Sequence, residues 1–233
     1  MAITIKSERE IELMAEAGKI LERVHNELEN ALRPGMSTKD IDTLGEEIIR
    51  SYGCIPSFLN YNGYPASICV SVNQEVVHGI PDKHRIIQEG DIVSLDAGVI
   101  YKGYHSDAAR THAVGEVSEE AKKLIQVTKE SFFEGIKFAK AGNHLFDISG
   151  AIGRYAEERG YGVVRDLCGH GIGTALHEAP EIPNYEVGRK GVRLRPGMTL
   201  AIEPMINIGT HEVDWLDDDW TVVTRDGSLS AHY

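Results

Sequence analysis

The chain has 233 residues, of which 42% are hydrophobic and 26% charged, and its 36 acidic against 24 basic residues leave a formal net charge of −12. Those proportions belong to a soluble globular protein with a sizeable core and exclude disordered and collagen-like classes. So acidic a chain is a poor match for DNA or an anionic membrane, although Lys122, Lys123, Arg189, Lys190, Arg193 and Arg195 make local basic patches. Three widely spaced cysteines without a CxxC pair exclude a disulfide scaffold or a thiolate zinc site. With no signal-like or membrane-length apolar run, the expected location is the cytoplasm.

Ser7 and Glu10 form an S-x-x-E capping box, and Leu13, Met14, Ala17, Ile20, Leu21, Val24, Leu28 and Leu32 follow helical spacing as far as Pro34-Gly35. A second helix is predicted from about Ser37 to Tyr52, a third starts near Ser118, and a fourth ends near Gly160. The runs ICVSVN, DIVSLDAGVI, TLAIEPMINI and WTVVT read as strands, and the closing DGSLSAHY as a turn feeding a strand that pairs with WTVVT.

One offset runs through these segments. Gly35, Asp40, Ile41 and Gly53 reappear 107 positions later as Gly142, Asp147, Ile148 and Gly160. Gly90, Val93, Leu95 and Asp96 likewise map onto Gly197, Leu200, Ile202 and Glu203. This predicts a duplicated helix-plus-strand unit, two halves of about 1–110 and 111–233 related by a pseudo-twofold. Each copy is a glycine turn into an alternating strand ending in a carboxylate. Burying Asp96 and Glu203 calls for a cation between them.

Further candidates gather around these acids. A hairpin turning at Tyr101-Lys102 sets Asp96 directly opposite Asp107, where two carboxylates repel unless a cation separates them. His170 lies among Gly169, Gly171 and Gly173, a spacing that lets backbone approach a ligand closely. His177 follows seven residues on, and His78 stands before Gly79 after an apolar run. Two Asp, one Glu and one His form an oxygen-rich set that suits Mn, Fe or Co better than zinc.

In this order and spacing, LDAG, YHSDAAR, GHGIG, HEAP and AIEPM resemble the pita-bread metalloenzymes, and within them the type I methionine aminopeptidases of the bacterial kind. The resemblance spans nearly the whole chain. It implies an α+β pita-bread fold in one domain, residues 1–233, with an antiparallel sheet and helices on one face. It implies two divalent ions (Co, Mn or Fe), one on Asp96 and Asp107, the other on Asp107, His170 and Glu203. Glu203 would manage the proton of the attacking water, His78 and His177 would contact substrate, and Tyr61, Tyr64, Cys69 and Trp220 would line a methionine pocket. The implied substrates are the N-termini of nascent polypeptides with a small second residue, met as a monomer with transient ribosome contact. An Xaa-Pro enzyme is the second member of the class considered; those usually carry an extra N-terminal domain.

The resemblance also implies a fifth ligand, a Glu that follows an S-x-x-A motif and two further residues. That motif is Ser228-Leu229-Ser230-Ala231, followed here by His232 and Tyr233, where the sequence stops. The expectation is a chain truncated before its last ligand and strand, with one ion held moderately, the second poorly, and low activity. The alternative is a non-catalytic binding protein of the same fold.

Overall fold

A computed structural model describes residues 2–233. Helix α1 (Glu8–Ala31) starts at the expected box: the Ser7 hydroxyl accepts from Glu10 N, and the Glu10 carboxylate accepts from Ser7 N at 2.7 Å. It buries Ala17, Leu21, Val24 and Leu28, as their spacing predicts. It also buries His25, a polar residue one helical turn after Leu21. α2 (Thr38–Ser51), β1 (Ile55–Pro56), a 3-10 turn at Tyr61–Gly63, β2 (Ile68–Val72), β3 (Glu75–Val77), β4 (Ile92–Tyr101) and β5 (Tyr104–Ala113) complete the first half. The second half runs α3 (Glu119–Ile136), α4 (Leu145–Glu157), β6 (Gly162–Val163), β7 (Gly169–Gly171), β8 (Glu178–Ile182), β9 (Leu200–Ala201), β10 (Met205–Asn207), β11 (Val213–Trp215), β12 (Val222–Thr224) and β13 (Ser230–His232). All paired strands among the described residues are antiparallel.

The duplication is visible at atomic detail. The Asp40 carboxylate accepts from Ser37 N at the start of α2, and Asp147 accepts from His144 N at the start of α4, both at 2.8 Å. The isolated bridge Ser37–Ile86 is repeated as His144–Arg193. The pairs Ile55–Ile100 and Pro56–Val99 between β1 and β4 return as Gly162–Asn207 and Val163–Ile206 between β6 and β10. Gly90 and Gly197, the turns ahead of the two acid-bearing strands, have φ of +93° and +88°, a region open to glycine.

β4 alternates as a strand must. Val93, Leu95, Ala97 and Val99 join the largest core with Leu21, Val24 and Leu28 of α1 and Ile41 and Ile49 of α2. Asp96 therefore points to the opposite face of the sheet. That face is covered as well: Ile92, Ser94 and Gly98 are buried there, and Ile92 packs into a second core with Leu124, Val163 and Ile206 from the other half of the molecule.

Three expectations need correction. The β4–β5 hairpin turns at Lys102-Gly103, with φ of +50° and +85°, the pair of positive angles that a two-residue turn matched to strand twist requires. Asp96 consequently faces Ala109, and Asp107 faces Gly98. The slip of two residues keeps both acids on one face but makes them diagonal rather than direct neighbours. TLAIEPMINI is not one strand: it breaks at residues 202–204 into β9, which pairs with β7, and β10, which pairs with β6 and β13. Pro204 has no N–H for a ladder, and the break is where Glu203 leaves the sheet. Finally, β13 pairs with β10 rather than with WTVVT, whose strand β12 lies between β11 and β3.

Candidate active site

Asp96 and Asp107 come from adjacent strands of the first half, and His170 and Glu203 from the second. His170 Nε2 lies 3.5 Å from Asp107 Oδ2 and 3.3 Å from Glu203 Oε1. Its Nδ1 is 2.8 Å from the Gly171 carbonyl, so Nδ1 carries the proton and donates it there, and in the neutral ring the Nε2 lone pair faces the two acids. The flanking glycines serve this placement differently from expectation. A Cβ on Gly169 would stand 2.4 Å from Ala201 O, and one on Gly171 2.2 Å from Ala179 O. The glycines let β7 pass between β9 and β8, and ligand approach is not what demands them.

The electrostatics are those of a crowd of acids around one imidazole. Burial, then Asp107 and Glu203, push the Asp96 carboxyl well above the usual carboxylate range. Burial works against a charged His170, but Asp107 and Glu203 outweigh it and lift the ring to about 9. Glu203 Oε1 is buried without a hydrogen-bond partner, and Glu203 Oε2 lies 3.5 Å from His232 Nε2. His232 is buried with both ring nitrogens unpartnered. In the sequence its one signal is its place in the closing motif.

Asp107 and Glu203 touch His170 as ion pairs. Among the described residues, no group of three or more His, Cys, Asp or Glu side chains is ready-made around a single ion. The chemistry of the set nevertheless fits a divalent cation. Asp107 and Glu203 add to burial in raising the proton affinity of Asp96, a buried carboxylate oxygen has no hydrogen bond, and a hard-oxygen set with one imidazole nitrogen is what Mn-, Fe- or Co-class ions accept.

A narrow cavity of about 60 Å³ opens beside the acids, lined by Asp96, Asp107, His170, Glu203, His78, His177, Tyr64, Cys69 and Trp220. Phe58 and Leu176 also line it; as ordinary apolar residues they carried no signal in the sequence. Tyr61 stands at its edge, with its hydroxyl 2.7 Å from His177 Nδ1. Tyr64 donates to Gly79 O at 3.0 Å and packs edge-on against Trp220, 5.1 Å between ring centres. Burial, followed by the charge of Asp96, drives the Cys69 thiol far up, so it is an uncharged wall. His78 holds a left-handed backbone, φ +60°, a strained state for a side chain of its size. Burial and then His232 lower it to about 4. His177, one edge open to solvent, is lowered to about 4 by desolvation of the ring and by His170, whose ring centre is 4.1 Å away.

Comparison with known proteins fits this arrangement. The sequence pattern of metallopeptidase family M24 matches residues 12–226. The chain is 58% identical to a methionine aminopeptidase of Clostridium acetobutylicum over 99% of its own length and 92% of the relative's. It is 50% identical to methionine aminopeptidase 1 of Bacillus subtilis, over 99% and 93%. The crystal structure of a Thermotoga maritima methionine aminopeptidase superposes with a TM-score of 0.97 at 47% identity, covering 99% of this chain and 93% of that one. An X-Pro aminopeptidase from the same organism matches with a TM-score of 0.72 at 26% identity, but this chain covers only 58% of it. The pita-bread fold, the acid and imidazole cluster and the sequence agree, and the chain belongs to metallopeptidase family M24.

Proposed function

We propose that the protein is a metal-dependent aminopeptidase that removes the N-terminal methionine of nascent proteins and peptides, preferring a small second residue. The observation carrying this reading is the convergence of Asp96, Asp107, His170 and Glu203 beside a slot walled by Tyr64, Cys69 and Trp220. Because all four expected donors meet there, catalysis is favoured over a binding protein that has lost its metals. Residues 1–233 act as one catalytic domain in which each half, about 1–110 and 111–233, supplies two donors.

In this reading Asp96 and Asp107 hold one divalent ion of the Co, Mn or Fe class, and Asp107, His170 and Glu203 hold a second. Such ions, when bound, acidify water and polarise the scissile carbonyl. The chain's own groups do the rest. Glu203, with one carboxylate oxygen lacking any donor, receives the proton of the attacking water. His177 is neutral at pH 7. In the tautomer whose Nδ1 accepts from the Tyr61 hydroxyl, the proton is on Nε2 and is free to donate to the oxygen on which negative charge develops. His78, which lines the slot beside Trp220 at 6.2 Å between ring centres, steadies the substrate. A slot of about 60 Å³ between aromatic rings and a neutral thiol takes a slim, polarizable thioether more readily than a branched or aromatic side chain.

A monomer, as the family resemblance implies, is part of the same reading. The three free cysteines support a reducing cytoplasm. No described helix is long and apolar enough to cross a membrane. Transient ribosome contact rests on the family resemblance alone.

The test is hydrolysis of Met-Ala-Ser, Met-Trp-Ser and Ala-Pro peptides with added Mn or Co. The expected result is metal-dependent release of Met, fast from the first and slow from the second, with Ala-Pro intact. Cleavage confined to Ala-Pro, or no cleavage by protein shown to contain metal, would overturn the reading.

A further inference from the structure

We propose that a buried ion pair between Lys6 and Glu178 latches the loop carrying His177, so that Lys6 and Glu178 are positioning residues for the reaction. The inference rests on the role given to His177 above. Lys6 Nζ lies 2.5 Å from Glu178 Oε2, and both side chains are largely removed from solvent, at 3% and 12% exposure. A lysine is seldom buried unless its charge is matched. A buried pair of this kind adds little stability over apolar side chains of the same size, so what it contributes is direction.

The direction is toward His177. Glu178 is the next residue in the chain, and its other oxygen accepts from Ala175 N at 3.3 Å, closing the 173–178 loop upon itself. Gly173 begins that loop and donates its N–H to Ala175 O at 3.0 Å, while its carbonyl accepts from His105 N at 2.8 Å. A Cβ at Gly173 would stand 2.4 Å from Glu178 Oε1 and 2.6 Å from Lys6 Cε. The pair thus occupies space that any larger residue would fill.

The other end of the latch is equally constrained. Lys6 N donates to Gly197 O at 2.8 Å. Gly197, with φ +88°, has no room for a Cβ, which would meet Ile5 Cγ2 and Lys6 O, each 2.7 Å away. Gly197 is the turn that leads to β9 and Glu203. The segment before α1 therefore ties together the two stretches that supply His177 and Glu203. Against this, the side-chain hydrogen bond that His177 makes among the described residues is to the Tyr61 hydroxyl.

The test is a thermodynamic cycle on the metal-loaded protein with Met-Ala-Ser as substrate. Lys6→Met/Glu178→Gln removes both charges together, leaving neither buried alone. The expected result is a fall in kcat of roughly 10- to 100-fold, the scale of a small misplacement of a reacting group, with KM little changed. In a His177→Ala background the same pair should cause no further loss. In the metal-free protein, NMR resonances of the His177 ring should shift or broaden in the pair variant, while those of His25 stay in place. Glu178→Gln alone, which keeps Lys6, gives a second variant for the same cycle. A kcat equal to that of the parent, or an equal fractional loss with and without His177, overturns the latch. A normal kcat for His177→Ala alone instead removes the role of His177, and the latch falls with it.

Discussion

His170 shows how one side chain records the demands of its surroundings. Its Nδ1 is committed to the Gly171 carbonyl, and Asp107 and Glu203 lift its pKa from 6.5 to about 9 against the pull of burial. With a folded pKa above the unfolded one, the stability it contributes to the metal-free protein is fully present below pH 6.5 and lost as pH rises through 9. A metal ligand must be a neutral imidazole. Ion uptake at about pH 7.5 should therefore release a proton from His170. Calorimetric titration of Mn in two buffers of different ionisation enthalpy measures this; buffer-independent heat would contradict it. Glu203→Gln keeps the shape but removes the basic carboxylate, and the expected loss in kcat is roughly 100- to 10,000-fold in steady-state assays.

At the scale of elements, the contact of α1 with the β4–β5 hairpin contains a pH-sensitive group. His25 Nε2 donates to Ala108 O at 2.8 Å, and burial, then Arg110, push its pKa down to about 4. A depressed histidine stabilises the fold above its unfolded pKa of 6.5, and this stability is lost as pH falls through 4. The shift corresponds to about 3 kcal/mol between neutral and acidic solution. Urea unfolding of the metal-free protein should reveal this slope between pH 7 and 4, and His25→Gln should flatten it while lowering stability at pH 7. The segment just after β3 has no such latitude. A Cβ on Gly79 would lie 2.4 Å from the Val70 carbonyl, a backbone atom in β2 that accepts no displacement without breaking the ladder. Val70 N and the Tyr64 hydroxyl both donate to Gly79 O. Gly79→Ala should cost about 1–3 kcal/mol in urea unfolding and shift His78 and Tyr64 together.

For the whole molecule, the site lies where two halves meet, with Asp96 and Asp107 on one side and His170 and Glu203 on the other. An ion bound there is worth about 2.7 kcal/mol at a hundredfold excess over its Kd. Thermal unfolding should shift upward with Mn concentration, and Glu203→Gln should remove most of that shift. A Tm unmoved by Mn in the parent protein would contradict ligation across the halves.

The sequence alone determined what depends on local rules. The helix start at Ser7 was legible because a capping serine and its glutamate partner are three residues apart, and the duplication because it repeats glycines that only particular turns require. The candidate donors were legible because acids in apolar strands are costly and so stand out. What only the tertiary structure decided is what depends on register and on long-range approach. The choice of Lys102-Gly103 as the turn moved Asp107 from opposite Asp96 to its diagonal, and Pro204 divided one apolar run between two sheets. The pairing of Lys6 with Glu178, 172 positions away, has no local signature at all. A charge on a flexible stem looks the same in sequence whether it ends in water or in a buried pair, and only the packing of distant segments settles which.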